Sequence, residues 1–385
     1  MSIFVKNFVK ISLNNNLRLF SPCRSHGPCR AIHFTKVQHL YSPLSLGIDN
    51  YLQTRKRVKD QFVSFSDKFR TKMIEFVGDS KNMIFTEDLK NMVHIAEPTD
   101  LDLIVKMIKK FNTQSTEYRF GSFVFGPVVM RMFHFLDAPK EALQCFYDPA
   151  NNEFFDQLVS YQLLLDLLYN HEMYDEMYKV FEVIKEKQIN MTKYPKYSVV
   201  LILAACYKQN TKQSLEYASS LWSDMTSVGT TPVRRASSFF AALALKQGAP
   251  HIALEAISTQ KQNYVTIRNI KATALARGAR ADDALRALRA VLELDAPAGT
   301  RHTFFEETIS AVRQAVEQSN DKDLQREFET IEKALNDRGL IDNQTLDQLV
   351  SSEITVNVKN KTSRGVTTFQ NKKLPFDHRQ RRNMN

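Results

Sequence analysis

The chain has 385 residues, 43% of them hydrophobic, with only 11 Gly and 12 Pro; this is enough for a sizeable core, in one elongated domain or two compact ones, and it favours helices. The net charge of +10 sits at the ends: residues 1–48 carry six Lys or Arg and no acid, and 353–385 carry eight against Glu353 and Asp377, which leaves the middle slightly acidic. The longest apolar run, 199–206, is far below the ~20 residues a bilayer span needs. Cys23, Cys29, Cys145 and Cys206 lack any CxxC or zinc spacing and suggest a reducing compartment.

The first 36 or so residues combine Lys6, Lys10, Arg18, Arg24 and Arg30 with Phe4, Phe8, Ile11 and Leu17, and have no acid. A secretory signal needs a longer apolar core than Ile3-Phe4-Val5, so the segment reads as a mitochondrial presequence removed after Arg30. An ordinary basic tail has the same composition. Over 49–77, Phe65, Phe69, Met73 and Phe76 recur at helical spacing and predict one long helix. The stretches 88–95 and 101–111 then form a helix pair split by Glu97-Pro98-Thr99-Asp100, where Pro98 breaks the first helix and Thr99 or Asp100 can cap the second.

The best-formed unit is 159–193. Tyr161, Leu163, Leu164, Leu165, Leu167 and Leu168 make its first helix. Met177, Val180, Phe181 and Ile184 follow at the i, i+3, i+4, i+7 spacing of an amphipathic second helix. Neither helix can bury its apolar face alone, so the pair needs neighbours. Equivalent second helices place a marker residue at 142, 177, 218, 253 and 284, and four of those five residues are Ala, as close helix packing requires. The marker intervals centre near 35 residues. Gly229 and Pro232 close one unit, and Gly248 and Gly278 lie in turns inside the next two. The sequence therefore predicts an all-α solenoid of stacked helix-turn-helix repeats. The expected organisation is a presequence and linker in 1–45, N-terminal helices with a divergent first repeat in 46–122, repeats in 123–300, capping helices in 301–352, and a basic disordered tail in 353–385.

Val159-Ser160-Tyr161, Phe181, Lys185-Glu186-Lys187 and Ile189 resemble the pentatricopeptide motif, as do Gly248 with Ala253-Leu254-Glu255 and Gly229 with Pro232. The tetratricopeptide Trp-Leu-Gly-Tyr pattern is not visible, since Trp222 is the only Trp and lies in a second helix. The segment 120–127, Phe-Gly-Ser-Phe-Val-Phe-Gly-Pro, with Met130-Arg131 after it, resembles the mitochondrial pentatricopeptide repeat domain protein 2 family of animals. The resemblance covers 85–260 well and the flanks loosely. It implies a mitochondrial matrix protein that binds single-stranded RNA along its first helices. It also implies a role in maturation of mitochondrial transcripts for the respiratory chain, such as the cytochrome b message, with RNA-processing proteins as partners. The same surface could instead make the chain a scaffold for protein partners.

In the family, bases are read by the residue after the first-helix aromatic and by the last residue of the repeat. Those positions are Gln162 with Thr192, Pro127 with Gln157, and Ser238 with Asn263; only the last pair resembles a usual base-reading pair, and Pro127 departs from the pattern because its ring cannot donate a hydrogen bond. Lys193 and Lys196 flank Tyr194 and Tyr197, a mix that can meet phosphates and stack a base, although repeat-boundary packing accounts for it equally. Arg234, Arg235, Arg268 and Lys271 fall on or beside first helices, where a solvated face is the competing explanation. His171-Glu172-Met173-Tyr174-Asp175 starts like a zinc-protease motif but has Asp at its fifth position and falls in a turn. His94 and His134 are lone histidines in apolar helices. With no phosphate-binding loop, nucleophile motif or paired acids, the sequence predicts a non-enzymatic protein without cofactor or metal.

Overall fold

The computed structural model describes residues 39–114, 123–261, 264–293 and 302–355. The segment expected to be a presequence and most of the basic tail lie outside these residues, as do Phe120, Gly121 and Ser122 of the family-like segment. A short α1 (Pro43–Leu46) leads into α2 (Ile48–Phe62), α3 (Ser66–Gly78), α4 (Thr86–Ile95) and α5 (Leu101–Thr113).

The single helix expected over 49–77 is interrupted. The Phe65 amide donates to the Phe62 carbonyl at 3.1 Å in a tight turn, and the Phe62 ring centroid lies 4.6 Å from Phe65 and 5.1 Å from Phe69. This turn lets α2 pack on α4 while α3 packs on α5. Arg70 Nε fixes the new direction by reaching both Asp100 carboxylate oxygens at 3.1 Å. Asp100, read as a helix cap, makes no cap bond to α5 and serves Arg70 and the Glu97 amide instead.

Six helix pairs follow, α6 (Gly126–Phe135) with α7 (Pro139–Tyr147), α8 (Leu158–Asn170) with α9 (Tyr174–Lys187), α10 (Lys196–Gln209) with α11 (Lys212–Ser227), α12 (Arg234–Lys246) with α13 (Pro250–Ile257), α14 (Val265–Arg277) with α15 (Ala281–Leu292), and α16 (Glu306–Ser319) with α17 (Lys322–Asp337). Each first helix packs on the next, from α6 on α8 through to α14 on α16. The chain is thus an all-α solenoid. A short parallel pairing of Phe304–Phe305 with Ile341–Asp342 ties the last pair together, and α18 (Leu346–Val350) ends the helical order.

The second helices bury one face each. In α9 it is Met177, Val180, Phe181 and Ile184, the stripe its spacing predicts. The marker alanines Ala142, Ala218, Ala253 and Ala284 are fully buried, so the helices of a pair approach closely there. Every turn between the helices of a pair contains one left-handed residue, in order Asp137, Glu172, Asn210, Gly248, Ala279 and Asn320. Only one of these is glycine. The left-handed conformation costs other residues roughly 1–2 kcal/mol, so packing of the two helices enforces the turn.

Candidate nucleic-acid interface

The middle first helices are buried nearly all round. Residues 160–169 of α8, 198–207 of α10 and 236–245 of α12 are buried without a break. Neighbouring first helices and the paired second helix cover three sides; the fourth, inner side should be open in a solenoid with an empty groove. Here the two ends of the described chain pack against parts of the array: Tyr41 meets Tyr197 of α10, and α18 packs on α12 and α14.

From the N-terminal side, Leu40 and Tyr41 lie over the array. Tyr41 makes a parallel bridge with Ile354. The Ile354 amide donates to Leu40 O at 2.8 Å, and its carbonyl accepts from the Ser42 amide at 3.2 Å and the Ser45 hydroxyl at 3.0 Å. The Tyr41 ring meets Tyr197 edge-on at 6.2 Å. Burial, and then the nearby Asp166 carboxylate, push its phenol pKa up. Arg131 of α6 secures the next turn through Nε to Leu46 O at 2.9 Å. Ile354, expected at the start of a disordered tail, is therefore a paired residue.

From the C-terminal side, α18 packs on α12 and α14. Arg235 clasps its end, with Nη1 donating to the carbonyls of Leu349 (3.2 Å) and Val350 (2.9 Å), and Nη2 to the Ser352 carbonyl (2.8 Å) and hydroxyl (2.9 Å). These bonds satisfy the terminal carbonyls of a helix too short to hold itself. Asp347 accepts from Tyr207 Oη at 2.6 Å and Lys246 Nζ at 2.9 Å. Burial pushes its carboxyl up, and these two partners outweigh that, so the net shift is downward.

The candidate residues fall into two groups. Gln162 (8% exposed) and Ser238 (1%) are buried, and the Ser238 hydroxyl donates to Arg234 O at 2.9 Å within its own helix. Arg235 is committed to the C-terminal segment. Arg268 is buried toward α16, with Nη2 at 2.9 Å from His302 Nδ1 and its guanidinium 5.8 Å from the Phe304 ring centroid. Lys271 is half-buried on α14, and Asn263 lies outside the described residues. His134 pairs with the buried Asp166 at 2.8 Å, and His171 with Asp137 at 2.6 Å. Among the described residues no group of three or more His, Cys, Asp or Glu side chains could hold a metal.

The second group stays at the surface. After α9 the backbone takes positive φ at Gln188, Asn190 and Met191, and Met191 is 98% exposed. This strained turn delivers Thr192, Lys193 and Lys196 to the amino end of α10; Lys193 Nζ lies 5.4 Å from the Tyr194 ring centroid, and Tyr197 is 59% exposed. At the amino ends of the next two first helices the Arg234 guanidinium lies 4.2 Å from the ring centroid of Tyr264, which is itself 43% exposed. Since α10, α12 and α14 stack in order, basic and aromatic side chains alternate along one edge.

The sequence did not single out Tyr207, Lys246 or Tyr41, which organise the inner face. α18 opens with a Thr345-x-x-Gln348 capping box whose reciprocal bonds are formed at 3.2 Å. Nothing local marked where that helix would dock.

The helix pairs and their marker residues define a solenoid of the pentatricopeptide type. No protein-family model matches the chain. It is similar to the pentatricopeptide repeat-containing protein 2, mitochondrial, of Xenopus laevis, 26% identical over 282 residues and 72% of each chain. The protein of the same name from Mus musculus is 26% identical over 272 residues, 70% of each chain. That from Danio rerio is 28% identical over 195 residues, half of each. The resemblance to this family is borne out by these relatives.

Proposed function

We propose that the protein is a mitochondrial single-stranded RNA-binding protein of the matrix, acting without chemistry of its own in maturation of transcripts for the respiratory chain, among them the cytochrome b message. The observation that carries this reading is the edge formed by Lys193, Lys196, Tyr197, Arg234 and Tyr264 at the amino ends of consecutive first helices. Cations there can meet phosphates while exposed rings stack bases. The similarity to relatives named as mitochondrial pentatricopeptide repeat proteins supports the compartment and the class of ligand. Ultraviolet crosslinking in mitochondria, followed by sequencing of bound RNA, tests it; recovery no greater than from an unrelated matrix protein overturns it.

A second reading, a scaffold for protein partners, is favoured by one observation: the inner face holds a polypeptide in this structure, its own 346–355 segment. Salt separates the two. RNA affinity through several phosphates falls steeply with added salt, whereas a peptide held through carbonyls and a buried Val350 responds weakly.

A further inference from the structure

We propose that segments 39–47 and 346–355 form an intramolecular strap across the inner face of the first helices, and that single-stranded RNA must displace its C-terminal half to reach that face. The proposal rests on the RNA-binding reading above and adds how access to the site is controlled.

Three observations carry it. First, Gln162 and Ser238 are buried, and α12, which carries Ser238, is packed against α18, so a base has no access to Ser238's helix with α18 in place. Second, the strap is held by groups that suit a nucleic-acid backbone. Arg235 gives four donated hydrogen bonds to oxygen acceptors, and Lys246 and Tyr207 converge on one carboxylate. Phosphate oxygens can take every one of these donors, so exchanging strap for RNA leaves no buried donor unpaired. Third, the apolar anchor of the strap's C-terminal half is small. Val350 is its one fully buried residue, with Leu346 and Ile354 only partly buried against the core, while a cleft of about 210 Å³ already opens beside Asp347, lined by Tyr207, Lys246, Thr273 and Arg277. Arg277 and Glu307 continue it into a cleft of about 420 Å³ along α14 and α16. A ligand can thus enter from the α16 end and advance by lifting α18.

The pairing of Tyr41 with Ile354 provides the test. In the full chain carrying Cys23→Ser and Cys29→Ser, the double substitution Tyr41→Cys and Ile354→Cys permits a disulfide that locks the strap, and reductant releases it. The probe is a short single-stranded RNA of random sequence. We expect the oxidised form to bind at least about tenfold more weakly than the same protein reduced. Val350→Asp, which loosens the anchor, is expected to bind more tightly than the unsubstituted chain; Asp347→Ala reports the same if that variant does not fold. Amide exchange over 346–352 is expected to rise when RNA is added to the unsubstituted protein. Equal affinity of oxidised and reduced forms, or unchanged exchange at saturating RNA, overturns the strap proposal and leaves RNA binding intact. Absence of binding by locked, reduced and loosened forms alike overturns the RNA reading itself.

Discussion

Tyr207 and Asp347 stand 140 residues apart in the chain, yet the phenol of one donates to the carboxylate of the other at 2.6 Å. Lys246 reaches the same oxygen at 2.9 Å. The bond links a first helix in the middle of the solenoid to the last helix of the described chain.

Because the folded carboxyl of Asp347 is depressed, its contribution is present above the ordinary carboxylate pKa near 4 and is lost as pH falls through that value toward the lower folded one. Asp347→Ala should remove it at neutral pH. The carboxylate is partly exposed, so the cost is modest, about 1 kcal/mol. The expected outcome is faster amide exchange over 346–352 with little change in global melting. In the unsubstituted protein the same segment should loosen on acidification below about pH 4 before the helix pairs unfold.

The repeat architecture was legible because it is local. Leu163 through Leu168 and the Met177, Val180, Phe181, Ile184 stripe encode α8 and α9 within single turns of helix, and buried alanines mark the contact between paired helices in four of the six pairs. The break at 63–65 was not legible, because Phe62, Phe65 and Phe69 keep helical spacing through a turn that only their mutual packing and the Arg70–Asp100 pair reveal. The inner face was legible in part. Sequence could place Arg235 and Ser238 on a first helix, but the segment that packs there comes from 346–354, and nothing in that stretch signals its pairing with Tyr41. Lys193, Lys196 and Arg234 were found by composition, and the backbone strain at 188–191 that presents the two lysines was not.

Gly126 opens α6 against the start of α8. A Cβ there would lie 2.0 Å from Gln157 Oε1, 2.6 Å from the Phe154 carbonyl oxygen and 2.8 Å from Ser160 Oγ. The amide side chain and hydroxyl can move, whereas the carbonyl belongs to the backbone that leads into the next repeat. Gly126→Ala should therefore destabilise by about 1–3 kcal/mol through overpacking. Chemical denaturation should show a lower midpoint with an unchanged slope; a midpoint equal to that of the unsubstituted protein would mean that the α6–α8 contact is looser than the structure describes.

Ala279 holds φ +57° in the turn between α14 and α15, where the pair before it uses Gly248 at +71°. The neighbouring Gly278 has φ −86°, so the glycine stands one residue before the position that needs it. Ala279→Gly relieves the left-handed penalty, and the extra freedom of glycine in the unfolded chain offsets part of the gain. A net stabilisation of about 0.5–1 kcal/mol is expected, seen as a rise in melting temperature. The exchange Gly278→Ala at the same turn should be far less costly than Gly248→Ala, because only the latter forces a Cβ into positive φ.

Lys193 and Lys196 are exposed at the amino end of α10. If they meet phosphates, each contact contributes about 0.7 to the slope of log affinity against log salt for a single strand. Lys193→Ala with Lys196→Ala should therefore lower RNA affinity and flatten that slope by about 1.4, while leaving thermal stability and strap exchange unchanged. Tyr264→Ala is expected to weaken binding by about 1–3 kcal/mol with the slope preserved, since stacking releases no counterions. Fluorescence anisotropy across a salt series separates the two effects. A preserved slope in the double lysine variant would move the RNA path away from this edge and onto the surfaces that the strap covers.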